Sequence, residues 1–184
     1  MQLIYETNRI RVRLFTPDDV SDAYEFMSDP EVARYEYWSP YTQKQAEKEI
    51  VRLSKVYPGT IGKWNEFAVE LKETGKVIGC VCINLEDNES WQAEIGFHFN
   101  RHYQGKGLAY EASMGLFAYG IELSVHRFYA TVDVRNQKSV ALMERLGMRR
   151  EGHFRENCYV KGEWCDEYLY AILAREIIAR TDAT

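Results

Sequence analysis

The stretch Gln104-Gly105-Lys106-Gly107-Leu108-Ala109 constrains this chain more than any other. It follows an apolar run, Glu94-Ile95-Gly96-Phe97-His98-Phe99, that reads as a strand, and it opens a helix-compatible run from Tyr110 to Leu123. Two glycines at a strand-to-helix turn let the backbone pass close to a bulky anion without Cβ clashes. The unpaired N–H groups of the helix's first turn then face that anion, and the helix dipole favours negative charge there. Lys106 adds a cation. The chemistry is that of a phosphate cradle for a nucleotide-type cofactor. It matches neither a P-loop, since no Lys-Ser/Thr follows the second glycine, nor a G-x-G-x-x-G turn. The competing reading is a glycine-rich turn that only reverses the chain.

At 184 residues the chain is long enough for one domain with a core that needs no staples. Hydrophobic residues make up 46% and charged residues 28%, the balance of a soluble globular protein. No stretch reaches the length of a membrane-spanning helix, and Met1 to Arg13 carries charges throughout, unlike a signal peptide. These features predict a cytoplasmic protein. Cys80 and Cys82 alternate on an apparent strand, and with Cys158 and Cys165 they lack zinc-site spacing, so buried reduced thiols and no metal are expected. The net charge of −5 argues against nucleic-acid or anionic-membrane partners and suits a cationic acceptor.

Along the chain, Arg9 to Leu14 alternates polar and apolar residues, as a half-buried strand does. Thr16-Pro17-Asp18-Asp19 starts a helix that Asp29-Pro30 ends. The segment Tyr35-Glu36-Tyr37-Trp38-Ser39-Pro40-Tyr41 is dense in aromatics: a tucked surface loop, or the wall of an acceptor pocket. Thr42-x-x-Gln45 is a capping box for a polar helix from Gln43 to about Lys55. Three strands follow, Trp64–Leu71, Val77–Leu85 and Trp91–Phe99, spaced as an antiparallel meander. After the glycine turn come a helix to about Ser124, a strand from Arg127 to Val134, a helix from Asn136 to Leu146 closed by Gly147, and strands near Arg149–Phe154 and Glu167–Leu173. Ala174 to Arg180 adds a short helical end. The order predicts an α/β (α+β) fold: a mixed, mostly antiparallel sheet of about seven strands flanked by about four helices.

These segments in this order resemble the GNAT N-acetyltransferase superfamily, whose cosubstrate is acetyl-CoA. Gln104-x-x-Gly107-x-Ala109 is similar to its pyrophosphate loop, and Asn136-x-x-Ser139 with Leu146-Gly147-Met148 to its second cofactor segment. Asn8-Arg9-Ile10-x-Val12-Arg13, Asp29-Pro30-Glu31-Val32, Glu151-Gly152-x-Phe154-Arg155 and Gly162-Glu163-x-x-Asp166 resemble the RimJ/RimL branch, which acetylates α-amines of ribosomal proteins. The resemblance implies a single N-acetyltransferase domain over residues 1–184, with a splayed strand pair holding the cofactor. It implies that the backbone of Gln104, Gly105, Lys106, Gly107, Leu108 and Ala109 holds the CoA pyrophosphate. It implies further that the backbone of Phe97, His98 and Phe99 pairs with pantetheine, and that Asn136 and Ser139 contact CoA near its thiol arm. A homodimer is suggested at the family level.

The chemistry asks little of side chains. A neutral amine attacks the thioester directly, backbone N–H groups stabilise the oxyanion, and proximity supplies much of the rest. A base must remove the ammonium proton. At pH 7 this costs about 4–5 kcal/mol for a lysine-like amine and about 1 kcal/mol for an α-amine. Glu94, beside the expected pantetheine track, is the candidate base, and its segment resembles the one that carries the base in histone-type relatives. In a regular strand Glu94 and Phe97 lie on opposite faces, unless a bulge intervenes. Ser139 is the candidate donor to the leaving thiolate, or a simple helix cap. The tyrosine acid common in the family falls at Met143, and the base of one N-terminal acetyltransferase class at Thr131. Glu36 and Glu31, with the aromatic loop, could receive a cation. The acceptor is therefore a protein N-terminus or another peptide amine, or a small molecule such as a polyamine, an amino acid derivative or an aminoglycoside. The alternative is an acyl-CoA-binding regulatory module without turnover.

Overall fold

Among the described residues, eight strands build the sheet: β1 (Leu3–Glu6), β2 (Ile10–Arg13), β3 (Trp64–Leu71), β4 (Lys76–Leu85), β5 (Gln92–Phe99), β6 (Arg127–Asp133), β7 (Arg149–Val160) and β8 (Glu163–Leu173). The helices are α1 (Val20–Met27), α2 (Pro30–Ala33), α3 (Gln43–Leu53), α4 (Leu108–Glu122), α5 (Gln137–Arg145) and α6 (Ala174–Thr181). They come from a computed structural model that describes residues 2–87, 89 and 91–181. The strand order is β1-β2-β3-β4-β5-β6-β8-β7. Every pairing is antiparallel except β5 with β6.

The expected meander is β3-β4-β5, with β4 buried along most of its length. Its two faces carry separate cores. Phe67, Val81 and Ile83 pack with Phe117 of α4 and Phe128 of β6. Ala68 and Cys80 face Phe26 of α1 and Ile50 and Leu53 of α3. On β2, one strand in from the sheet's β1 edge, Arg13 is buried between Asp19, 2.7 and 2.8 Å away, and Glu70, 2.7 Å away. Asp19 also accepts from the Thr16 N–H at 2.7 Å, which closes the turn before α1.

Among the described residues the sheet has one strand more than expected and the helices one more, α2, while α6 is the expected short helical end. β1 is short and partly exposed, so its four residues show little pattern; it pairs with β2, and the Tyr5 hydroxyl donates to the Ala112 carbonyl of α4. Asp29-Pro30 ends α1 as expected and also starts α2. Asp29 accepts from the Glu31 N–H at 2.9 Å, and Pro30 stands where no N–H partner is needed. The last two strands are longer than the apolar pattern suggested. They form one hairpin around Lys161 and Gly162, both at positive φ.

The feature that makes a site is the divergence of β5 from β6. Their parallel pairing covers only Gln92–Glu94 against Arg127–Tyr129. Beyond Glu94, β5 keeps its β4 partner to Phe99 and parts from β6. No helix among the described residues is long and apolar enough to cross a membrane.

Candidate functional site

The cradle forms where β5 stops. Asn100 is buried; its amide accepts from the His102 N–H at 3.0 Å and donates to Glu25 at 3.0 Å, which fixes a short 3-10 turn at Arg101–Tyr103. Gly105 and Gly107 then take φ values of +75° and +77°, and α4 begins directly after Gly107. A Cβ at Gly105 would meet nothing within 4 Å, and one at Gly107 only the Arg9 guanidinium at 3.6 Å. Backbone conformation, not crowding from the protein, therefore demands glycine here. The turn and the first turn of α4 line a cleft of about 960 Å³ that runs past β5 and the start of α5 to α2 and the loop after it.

Phe97, His98, Phe99, Gln104, Gly105, Gly107, Leu108, Ala109, Asn136 and Ser139 all line this cleft. Gln104 braces it: its amide donates to the Phe99 carbonyl at 3.0 Å and accepts from Lys138 at 3.2 Å. The Asn136 carboxamide accepts from the Ser139 N–H at 3.3 Å, so it caps α5 at the cleft wall. Lys106 departs from expectation. Its ammonium lies 5.3 Å from the centre of the Tyr103 ring, and its carbonyl accepts from Arg9 at 3.0 Å, with its side chain outside the cleft lining. Arg101, Lys138 and Arg145 supply the cations instead. Lys138 and Arg145 stand seven residues apart, two turns along one helix face, a spacing that could have marked them. Arg101 is held by Asp29 at 2.6 Å, and Arg145 lies over the Tyr110 ring at 4.7 Å.

Glu94 lies elsewhere. The β4–β5 register runs unbroken from Leu85 opposite Ala93 to Gly79 opposite Phe99, so no bulge brings Glu94 to the face of Phe97. Its carboxylate accepts from the Thr131 hydroxyl at 3.3 Å on the face it shares with His98, at the last β5–β6 pair before the strands part. Half-burial raises its pKa, and the Thr131 hydrogen bond opposes this. Met143 is buried in the core beneath α5.

On that same face the aromatic loop folds in. Trp38 sits edge-on to Tyr41 at 5.3 Å and to His98 at 6.0 Å. The Tyr37 hydroxyl donates to Glu167 at 3.3 Å, and Lys161 of the β7–β8 turn donates to the Ala33 carbonyl. Glu36 is carried on this loop into the cleft wall. Burial pushes its pKa up to about 7, with Lys161 pulling the other way. Burial also pushes His98 down to about 4, which leaves a neutral imidazole near pH 7.

The cleft suits an elongated ligand with phosphates at one end. It offers positive-φ glycines, a helix N-terminus and three cations there, and strand backbone released from its neighbour further along. Comparison with known proteins agrees. Residues 9–149 match the acetyltransferase (GNAT) domain family. The chain is 37% identical over 172 residues to the uncharacterized N-acetyltransferase YnaD of Bacillus subtilis, covering 92% of this chain and 96% of that protein. It is 33% identical over 177 residues to the uncharacterized N-acetyltransferase p20 of Bacillus licheniformis, covering 96% and 98%. A GNAT-family acetyltransferase structure from Bacillus anthracis superimposes with a TM-score of 0.81 at 31% identity, covering 92% and 98%. The cleft, with its glycine turn at the mouth of a split strand pair, and the match over three quarters of the length place this chain in the GNAT family, as an acetyl-CoA-dependent N-acetyltransferase.

Proposed function

We propose that residues 1–184 act as one N-acetyltransferase domain in the cytoplasm and pass the acetyl group of acetyl-CoA to a primary amine. The amine attacks the thioester directly while both substrates are bound. The observation that carries this reading is the parting of β5 from β6 beside the glycine cradle, which frees the backbone at Phe97–Phe99 to pair with the pantetheine arm. In this reading Gln104–Ala109 hold the pyrophosphate, and Asn136 and Ser139 stand by the thiol arm. Glu94 accepts a proton from nitrogen as the C–N bond forms, and Ser139 donates to the leaving sulfur. The neutral His98 serves as wall, not as base.

A protein N-terminal α-amine is the acceptor we favour, in keeping with the likeness to the RimJ/RimL branch. Removing its proton is the lesser demand, about 1 kcal/mol at pH 7. A small polyamine is the second reading. It is favoured by the carboxylates Glu36, Glu94 and Glu167 near the parting strands, and by the 24% identity over 171 residues to spermidine N(1)-acetyltransferase of Escherichia coli.

The test is release of free thiol from acetyl-CoA against peptides with free N-termini, spermidine, amino acids and aminoglycosides, with products identified by mass. A peptide acetylated on its α-amine supports the first reading, and acetylated spermidine the second. CoA binding without transfer to any amine would overturn both.

A further inference from the structure

We infer that Glu36 is a catalytic carboxylate of the amine transfer: it receives the incoming ammonium at the cleft wall and takes its proton before nitrogen attacks. The inference rests on the acetyltransferase reading and assigns a residue that the chemistry described so far leaves idle.

Three observations carry it. Glu36 lines the cleft, as do Asn136 and Ser139 at the start of α5. Among the described residues its side chain has no hydrogen-bond or ion-pair partner in contact, although it is half-buried. The Cys80 and Cys82 thiols of β4, held protonated by burial, feel its charge together with that of Glu66 and, at Cys82, that of Glu94. Lys161 of the β7–β8 turn is the nearby cation, and its ammonium is engaged with the Ala33 carbonyl. Arg34 and Glu31 of the α2 segment line the same cleft. Finally, the loop is held at both ends, by Trp38 against His98 and by Lys161 on Ala33, so the carboxyl is positioned rather than trailing. A carboxyl denied its own donors, with a pKa near the working pH, is suited to exchange protons with a bound ammonium.

The proton count is consistent. Over the reaction nitrogen loses two protons and sulfur gains one. The Glu36 carboxylate takes the first, which leaves a free amine, and releases it to solvent. The amine then forms the C–N bond, the C–S bond breaks, and the second proton leaves nitrogen for Glu94, which also passes it to solvent. Ser139 supplies the proton on sulfur and regains one from solvent, so one proton is released in all.

The experiment compares wild type, Glu36→Gln, Glu36→Asp and Glu94→Gln. It measures kcat/KM across pH 5.5–9 with whichever amine of the panel reacts, together with CoA binding by calorimetry and carbon-13 NMR titration of labelled glutamate carboxyls. The expected result for Glu36→Gln is a loss of at least roughly tenfold in kcat/KM. The acidic limb near pH 7 disappears, a carboxyl resonance titrating near pH 7 vanishes, and CoA affinity is unchanged. Glu36→Asp recovers part of the rate. If wild type acetylates an amine but Glu36→Gln keeps its acidic limb, or no carboxyl titrates near 7, the role of Glu36 is overturned while the acetyltransferase reading stands. If wild type binds CoA but acetylates nothing, that reading falls and the role of Glu36 falls with it.

Discussion

Replacing Gly107 with valine tests the cradle quantitatively. Gly107 sits at φ +77°, where an L side chain costs about 1–2 kcal/mol. A Cβ there would meet Arg9 at 3.6 Å, an ordinary contact, so crowding adds little. For a chain of this size the strain predicts a drop in Tm of roughly 2–8 °C. Ligand binding should suffer far more. If residue 107 relaxes to negative φ, the N–H groups opening α4 swing away from the phosphates. Losing two charge-assisted hydrogen bonds at about 1.5–3 kcal/mol each weakens CoA binding by roughly two to four powers of ten. Gly75→Val is the control: that glycine lies at φ +72° in the β3–β4 turn, and a Cβ there would meet nothing within 4 Å. Both variants should lose similar Tm, but only Gly107→Val should lose CoA, measured by calorimetry. A CoA Kd within threefold of wild type in folded Gly107→Val would refute the cradle.

Asp19→Ala should cost about 3–5 kcal/mol by urea unfolding, because it strands Arg13 with half its partners in the interior; a loss under about 1 kcal/mol would show that water reaches the guanidinium. His98 resists protonation when folded but not when unfolded, so stability declines as pH falls from about 6.5 toward 4, by about 2 kcal/mol at pH 5. His98→Phe should flatten that slope in melts from pH 7 to 5, and an unchanged slope would move the effect to other groups. CoA affinity should weaken as salt rises, and Lys138→Ala should weaken it several-fold at low salt with a shallower salt dependence; equal slopes for both proteins would exclude Lys138 from the phosphate end.

What the sequence by itself determined were the features that depend on near neighbours. Periodicity and punctuation located β2 to β6 and the bodies of α1, α3, α4 and α5, because a strand or an amphipathic helix writes its own burial pattern. The same local logic placed Gly105 and Gly107 at a strand-to-helix turn and Asn136 at the cap of α5. Where burial does not follow polarity the pattern stops short: β1 is partly exposed, and the far half of the β7–β8 hairpin leaves Tyr159 and Trp164 exposed to solvent. Tertiary structure alone decided which side chains meet. The unbroken register of β5 sends Glu94 to the face opposite Phe97, and Lys106 turns onto Tyr103 and leaves the phosphate end to Arg101, Lys138 and Arg145. A buried Arg13 joins Asp19 to Glu70 across 51 residues of chain (70 − 19). Glu36 acquires its unusual environment only when the aromatic loop is pinned by His98 of one strand and Lys161 of a distant turn. Desolvation is a property of the space around a group, and that space is assembled from segments far apart in sequence.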